Sequence, residues 1–134
     1  PYFNEKHGMM AYDLSRFNKI TFCLKGEKES SFLSRPNKIF TALICYSETA
    51  KSIHGKLAQY YNRSSIVPDK DWKKIEIPFD DFVPSRWTKN NVSHYPPQPD
   101  LGKVLQIFFL ISSFKGDAGI PGSNAVWIDE IVLQ

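Results

Sequence analysis

Cysteine is scarce in this chain of 134 residues: Cys23 and Cys45 stand 22 positions apart. Neither has a Cys-x-x-Cys neighbour or a nearby His, so the spacing excludes a zinc knuckle. Residue type favours two buried thiols acting as small apolar side chains, with a cross-strand disulfide as the alternative. Charge of one sign is lacking too. Seventeen Lys and Arg against 14 Asp and Glu give a net +3, and Lys73-Lys74 is the one adjacent basic pair. A nucleic-acid surface needs a basic stripe, and that class drops out. The longest nearly apolar stretch, 104–111, is broken by Gln106 and is under half of the ~20 residues a membrane span needs. No secretory leader is recognisable at the start, so the chain reads as a trimmed or mature segment.

Catalytic signatures are missing as well. There is no phosphate-cradling glycine loop, no Gly-x-Ser-x-Gly elbow and no His-Glu-x-x-His pair. His7, His54 and His94 are isolated from one another in sequence. Asp80-Asp81 could be read as the carboxylate pair of a glycoside hydrolase. Neighbours on a strand point to opposite faces, however, so that pair cannot flank one bond unless it lies in a turn. The expectation is a protein that is not an enzyme.

Aromatic residues are present in surplus: ten Phe, six Tyr and three Trp make 14% of the chain. Hydrophobic and charged residues, at 42% and 23%, lie near globular norms of roughly 45–50% and 25%. The length suits one domain, residues 1–134. Residues 20–26 alternate, with Ile20, Phe22 and Leu24 on one face and Thr21, Cys23 and Lys25 on the other, as in a strand closed by a glycine. A polar connection, 27–38, leads to an apolar run over 39–46 that suits a strand covered on both sides, and the two strands suggest a hairpin. Residues 48–61 show some helical period but carry Gly55; a loop followed by a strand over 59–67 is preferred. Residues 72–77 alternate again, up to Pro78. A proline-rich loop spans 80–102, 104–112 is a strongly apolar strand, 113–125 a glycine-rich turn region, and 126–133 a final strand. Six or more strands and almost no helix predict an all-β sandwich or barrel.

A pyranose offers an apolar C–H face and a rim of hydroxyls. A site for it needs an exposed aromatic plane and planar polar groups that donate and accept. Tyr2, Tyr60, Tyr61, Trp87 and Tyr95 are the stacking candidates, and Asn62, Arg63, Arg86, His94 and Gln98 the polar ones, several of them on the proline-stiffened loop where function concentrates. Trp72, Phe79, Phe82 and Trp127 lie in or beside alternating segments and are assigned to the core.

The segment Trp72-Lys-Lys-Ile-Glu-Ile-Pro-Phe79-Asp-Asp-Phe82, the loop with Tyr95-Pro96-Pro97, the strand 101–111 and the closing Trp127-Ile-Asp-Glu-Ile131-Val-Leu133 together resemble β-jelly-roll carbohydrate-binding modules, most nearly family 11, within the galactose-binding-like superfamily. Tyr2-Phe3 followed by residues 14–22 is similar to the family's approach to a central strand. The resemblance implies a jelly roll of two antiparallel sheets that binds polysaccharide, a β-glucan or related plant or microbial glycan. It also implies a secreted or cell-surface module tethered to a glycoside hydrolase. Tyr95 and Tyr2 match two cleft tyrosines of the family. Ala58, His94 and Leu105 stand where it has carboxylates, Val92 near an arginine position and Ile111 at a third tyrosine, so its sugar specificity does not carry over. A structural calcium, which the family often holds, would fall to Asp129; no cofactor is otherwise required. The chain starts where the family has already formed its first strands, which leaves a sheet edge to be covered. The same motif occurs in a protein-interaction or scaffold domain of the CIA30-like kind, and that is the alternative, since aromatics and Arg are enriched at protein interfaces too.

Overall fold

The computed structural model describes residues 2–4, 9–26, 37–112 and 125–134, apart from the side chains of residues 2–4, 9 and 112. Nine strands form among them: β1 (Tyr2–Asn4), β2 (Met9–Ala11), β3 (Lys19–Gly26), β4 (Lys38–Tyr46), β5 (Leu57–Asn62), β6 (Lys73–Pro78), β7 (Phe82–Pro84), β8 (Val104–Ser112) and β9 (Val126–Leu133). The helical content is one short helix, α1 (Arg86–Asn91), and 3₁₀ turns at Phe79–Asp81 and Leu101–Lys103. β1 and β2 pair as a hairpin, and the other strands make a three-stranded sheet β6-β3-β9 and a four-stranded sheet β7-β5-β4-β8. Every pairing is antiparallel.

Alternation sends one face of each sheet inward. Ile20, Phe22 and Leu24 of β3 meet Ile39, Leu43 and Cys45 of β4, with Ala58 and Tyr60 of β5, in one buried cluster. Phe22 and Phe109, from opposite sheets, stand 5.0 Å apart between ring centres at 71°, the edge-to-face arrangement aromatic pairs prefer. The molecule is a β-sandwich, as the resemblance implies.

Several sequence expectations need correction. β3 and β4 do not form a hairpin. Their inward faces are opposite walls of the core, and β4, apolar on both faces, takes an interior place between β5 and β8. The strand expected over 59–67 runs instead from Leu57 to Asn62 and stops because the Asn62 amide turns the chain, accepting from Thr41 N–H at 2.7 Å and donating to the Ser64 carbonyl. Ile66 returns only for an isolated bridge with Ile39. Residues 80–102 are no open loop: they contain the end of a 3₁₀ turn, β7, α1 and most of a second 3₁₀ turn. Trp72 and Trp127 are not core residues, being 49% and 50% exposed. Trp127 is in register with Lys25 on the outward face of β3, while its neighbour Ile128 packs against the core. Phe79 and Phe82 are buried as expected. Pro78 is tolerated because β6 is an edge strand. Both cysteines are free, so the disulfide alternative falls; Cys45 is buried and Cys23 only partly so. The connection at 27–36 and the glycine-rich stretch at 113–124 lie outside the described residues.

Candidate ligand-binding face

The outer face of the four-stranded sheet follows from the same alternation. If Ile39, Leu43 and Cys45 point inward, Phe40, Ala42 and Ile44 point out. Ala42 is in register with Tyr61 on β5 and Phe108 on β8, and Ile44 with Gln59 and Gln106. Ala42, fully buried, is therefore the low point of a row walled by two aromatic residues. The Phe40 and Tyr61 rings lie 5.2 Å apart, inclined at 57°. In the next row two amides flank Ile44, with Gln106 exposed and Gln59 half-buried.

Helix α1 forms one rim. β7 pairs with β5 only over Tyr60–Asn62, and beyond that the Ser85 N–H donates to the Gln59 carbonyl at 2.9 Å. Ser85 caps α1, its hydroxyl accepting from Thr88 N–H at 3.2 Å. The Thr88 hydroxyl accepts from Gln59 N–H at 2.7 Å and donates to the Gln59 carbonyl at 2.8 Å. A side chain thus replaces a strand partner, and the sheet edge is closed by the helix.

The residues singled out from the sequence do not converge on one spot. Tyr61 is on the outer face. Tyr60, its neighbour, points the other way: it is 1% exposed and its hydroxyl donates to the Pro96 carbonyl at 2.7 Å. Burial pushes its ionisation well above the ordinary tyrosine range, and no ring face is free for stacking. Asn62, also 1% exposed, is spent on the backbone of Thr41 and Ser64. Both are structural residues, a correction that strand parity explains. Arg63 is exposed in the turn after β5, with its N–H donating to the Asp81 carbonyl. Arg86 is exposed on α1, and Trp87 is half-buried with its ring 5.8 Å from that of His54. Tyr95 is half-buried against the core cluster. Exposed His94 has a left-handed backbone (φ 58°). Gln98, exposed, borders a shallow depression with Phe79, Asp80, Pro99 and Leu101. The backbone of Tyr2 lies in β1, and its side chain is outside the described residues.

Phe40, Phe108, Gln59 and Gln106 were not picked out by the sequence reading. The signal for the two phenylalanines is the apolar character of both faces of 39–46 and the strongly apolar run 104–112. An aromatic one position out of phase with the core on such strands marks a second apolar face, whether it is covered or open.

Asp129 stands on β9 opposite Cys23, its carboxylate accepting from Glu130 N–H at 2.8 Å. Among the described residues no three His, Cys, Asp or Glu side chains gather to hold a metal. The side chains of the first strand, which the resemblance would pair with Asp129 around a calcium, lie outside the described residues.

Within the described residues no helix is long and apolar enough to cross a membrane. No protein-family model matches the sequence, and no curated protein is similar to it. Among solved structures the β-sandwich is shared with the family 11 carbohydrate-binding module of the cellulosomal cellulase Lic26A-Cel5E of Clostridium thermocellum, with a TM-score of 0.60 and 24% identity over 92% of this chain. The chain spans 61% of the length of that neighbour.

Proposed function

We propose that residues 1–134 form a non-catalytic carbohydrate-binding module that holds a polysaccharide, a β-glucan or related glycan, along the outer face of the four-stranded sheet. The observation that carries this reading is the row Tyr61–Ala42–Phe108 with Phe40 against Tyr61 and two glutamine amides in the next row. Aromatic rings beside a low alanine give the apolar face of a pyranose a place to lie; the exposed Gln106 amide can donate to and accept from ring hydroxyls, while the Gln59 amide, whose oxygen accepts from the Ser85 hydroxyl at 3.0 Å, offers its NH₂ as a donor. The sandwich it shares with a cellulase's binding module supports the same class of ligand. On this reading the domain acts outside the cell, tethered to a glycoside hydrolase, and requires no metal.

Affinity electrophoresis in gels containing β-glucan, xylan, mannan or pectin tests this. The wild-type chain is expected to be retarded by at least one of them, and Tyr61→Ala to weaken that retention by about 1–3 kcal/mol, the usual cost of truncating an aromatic anchor. Free migration of the wild type in all four gels would overturn the reading. Retention that Tyr61→Ala leaves unchanged would move the site off this face.

A further inference from the structure

The outer face of the other sheet carries a second aromatic arrangement that the first face does not explain. Register aligns Trp127 with Lys25 on one side of β3, and Trp72 precedes β6 on the other. The Lys25 ammonium lies 5.7 Å from the centre of the Trp72 ring and 5.4 Å from that of Trp127. One cation thus sits between two indoles, and cation–π attraction holds both rings in place. Despite this, each indole is about half exposed. Pre-positioned, solvent-facing tryptophans lose little entropy when a ligand stacks on them.

The neighbouring row is polar and irregular. Thr21 pairs with Val132 but Cys23 with Asp129, so β9 carries one extra residue, a β-bulge. Glu130, in the bulge, has a left-handed backbone (φ 52°). That conformation brings the Glu130 side chain to the Cys23 side of the sheet, where the thiol donates to its carboxylate at 3.4 Å. Asp129 and Glu130 then line, with Cys23 and Trp72, a cavity of about 320 Å³. Backbone strain of this kind recurs where side chains are aimed at a ligand. The face also carries Lys19, Lys25, Lys74 and Glu76, with Glu76 paired to Lys19 at 3.3 Å and to Lys74 at 3.8 Å, so three cations balance three carboxylates and no net charge selects for an ion.

We infer that this face is a second saccharide-binding site, taking a neutral pyranose that stacks on Trp72 and donates vicinal hydroxyls to Asp129 and Glu130, with Trp127 extending the platform to a further sugar. Carboxylates accept strongly from hydroxyls, and an indole offers the widest apolar plane. The inference rests on the proposal that the domain binds saccharides, but on different residues of the opposite sheet. A chain with both sites would engage two glycan strands at once and gain avidity on an insoluble surface.

Calorimetric titration of the full chain with cellohexaose, laminarihexaose, xylohexaose and mannohexaose separates the sites. The wild type should bind two oligosaccharides per chain, and the Trp72→Ala/Trp127→Ala variant and Tyr61→Ala one each. Glu130→Gln, which keeps shape and fold, should weaken one site about tenfold, the effect of weakening a charged hydrogen bond. Single-site binding lost in Tyr61→Ala and untouched by the tryptophan and Glu130 changes would overturn this inference and leave the first face standing. Single-site binding lost only in the tryptophan variant would do the reverse. No binding of any of the four sugars overturns both.

Discussion

Tyr60 and Tyr61 are consecutive, chemically identical and oppositely employed. Because strand side chains alternate, Tyr60 enters the core and Tyr61 meets solvent on the outer face. The consequence is a separable pair of effects. Tyr60→Phe removes only the bond to the Pro96 carbonyl and should cost about 1 kcal/mol in urea unfolding, with glycan retention unchanged. Tyr61→Ala should do the opposite, weakening retention far more than stability. Asn62→Ala leaves a buried Thr41 N–H without its acceptor and should cost roughly 2–3 kcal/mol. Part of this was legible in the sequence. The aromatic surplus is visible and the glycine and β-branched residues favour a strand over a helix, but residue type alone does not say which tyrosine faces out. Register decides that, and register depends on pairing with β4 rather than on the local string.

Longer alternating or apolar segments were readable because each repeats its pattern over six or more residues: β3, β4, β6, β8 and β9 fall within a residue or two of expectation. β7 has three residues and α1 six, too few for either period to register. A six-residue helix has no stability of its own, so its cause is tertiary. The Ser85 cap and the clasp of Thr88 on both backbone groups of Gln59 supply it. Ser85→Ala should therefore lower stability by about 1 kcal/mol. Thr88→Val, which keeps the shape and removes the hydroxyl, should cost as much again by orphaning the Gln59 N–H. Both are measurable by urea unfolding, and loss of the Thr88 clasp should also loosen the rim of the first face. Gly26 makes the same point for β3. A Cβ there would sit 2.7 Å from the Ala125 carbonyl oxygen, so the closing glycine is demanded by the approach of the chain leading into β9. The exposure of Trp72 and Trp127 is not legible from the sequence for a related reason. Alternation shows that a strand has two faces, and only the partner strands show which face the other sheet covers.

Two sheets with their apolar faces joined leave two outer faces, each carrying aromatics, and one core that must stay uncharged. That core makes a pH prediction. Burial pushes the Cys45 thiol from its ordinary 9.0 up to about 12 and raises Tyr60 in the same direction. Both groups are neutral when protonated, so the folded state holds its protons to higher pH than the unfolded chain does. By linkage, stability falls with pH wherever the unfolded state has fewer bound protons. The Cys45 contribution is therefore complete below about pH 9 and declines between 9 and 12, at up to ~1.4 kcal/mol per pH unit. Urea unfolding of the wild type from pH 8 to 11 should show that decline, and Cys45→Ala should flatten it while lowering stability at pH 8 through the lost packing of the sulfur. A thiol this deep should also resist iodoacetamide at pH 8 in the native chain and react once the chain unfolds. An equal slope in wild type and Cys45→Ala would mean that the thiol ionises as readily folded as unfolded. That would contradict its place at 1% exposure beside Leu43 and Ala58 in the wall between the two sheets.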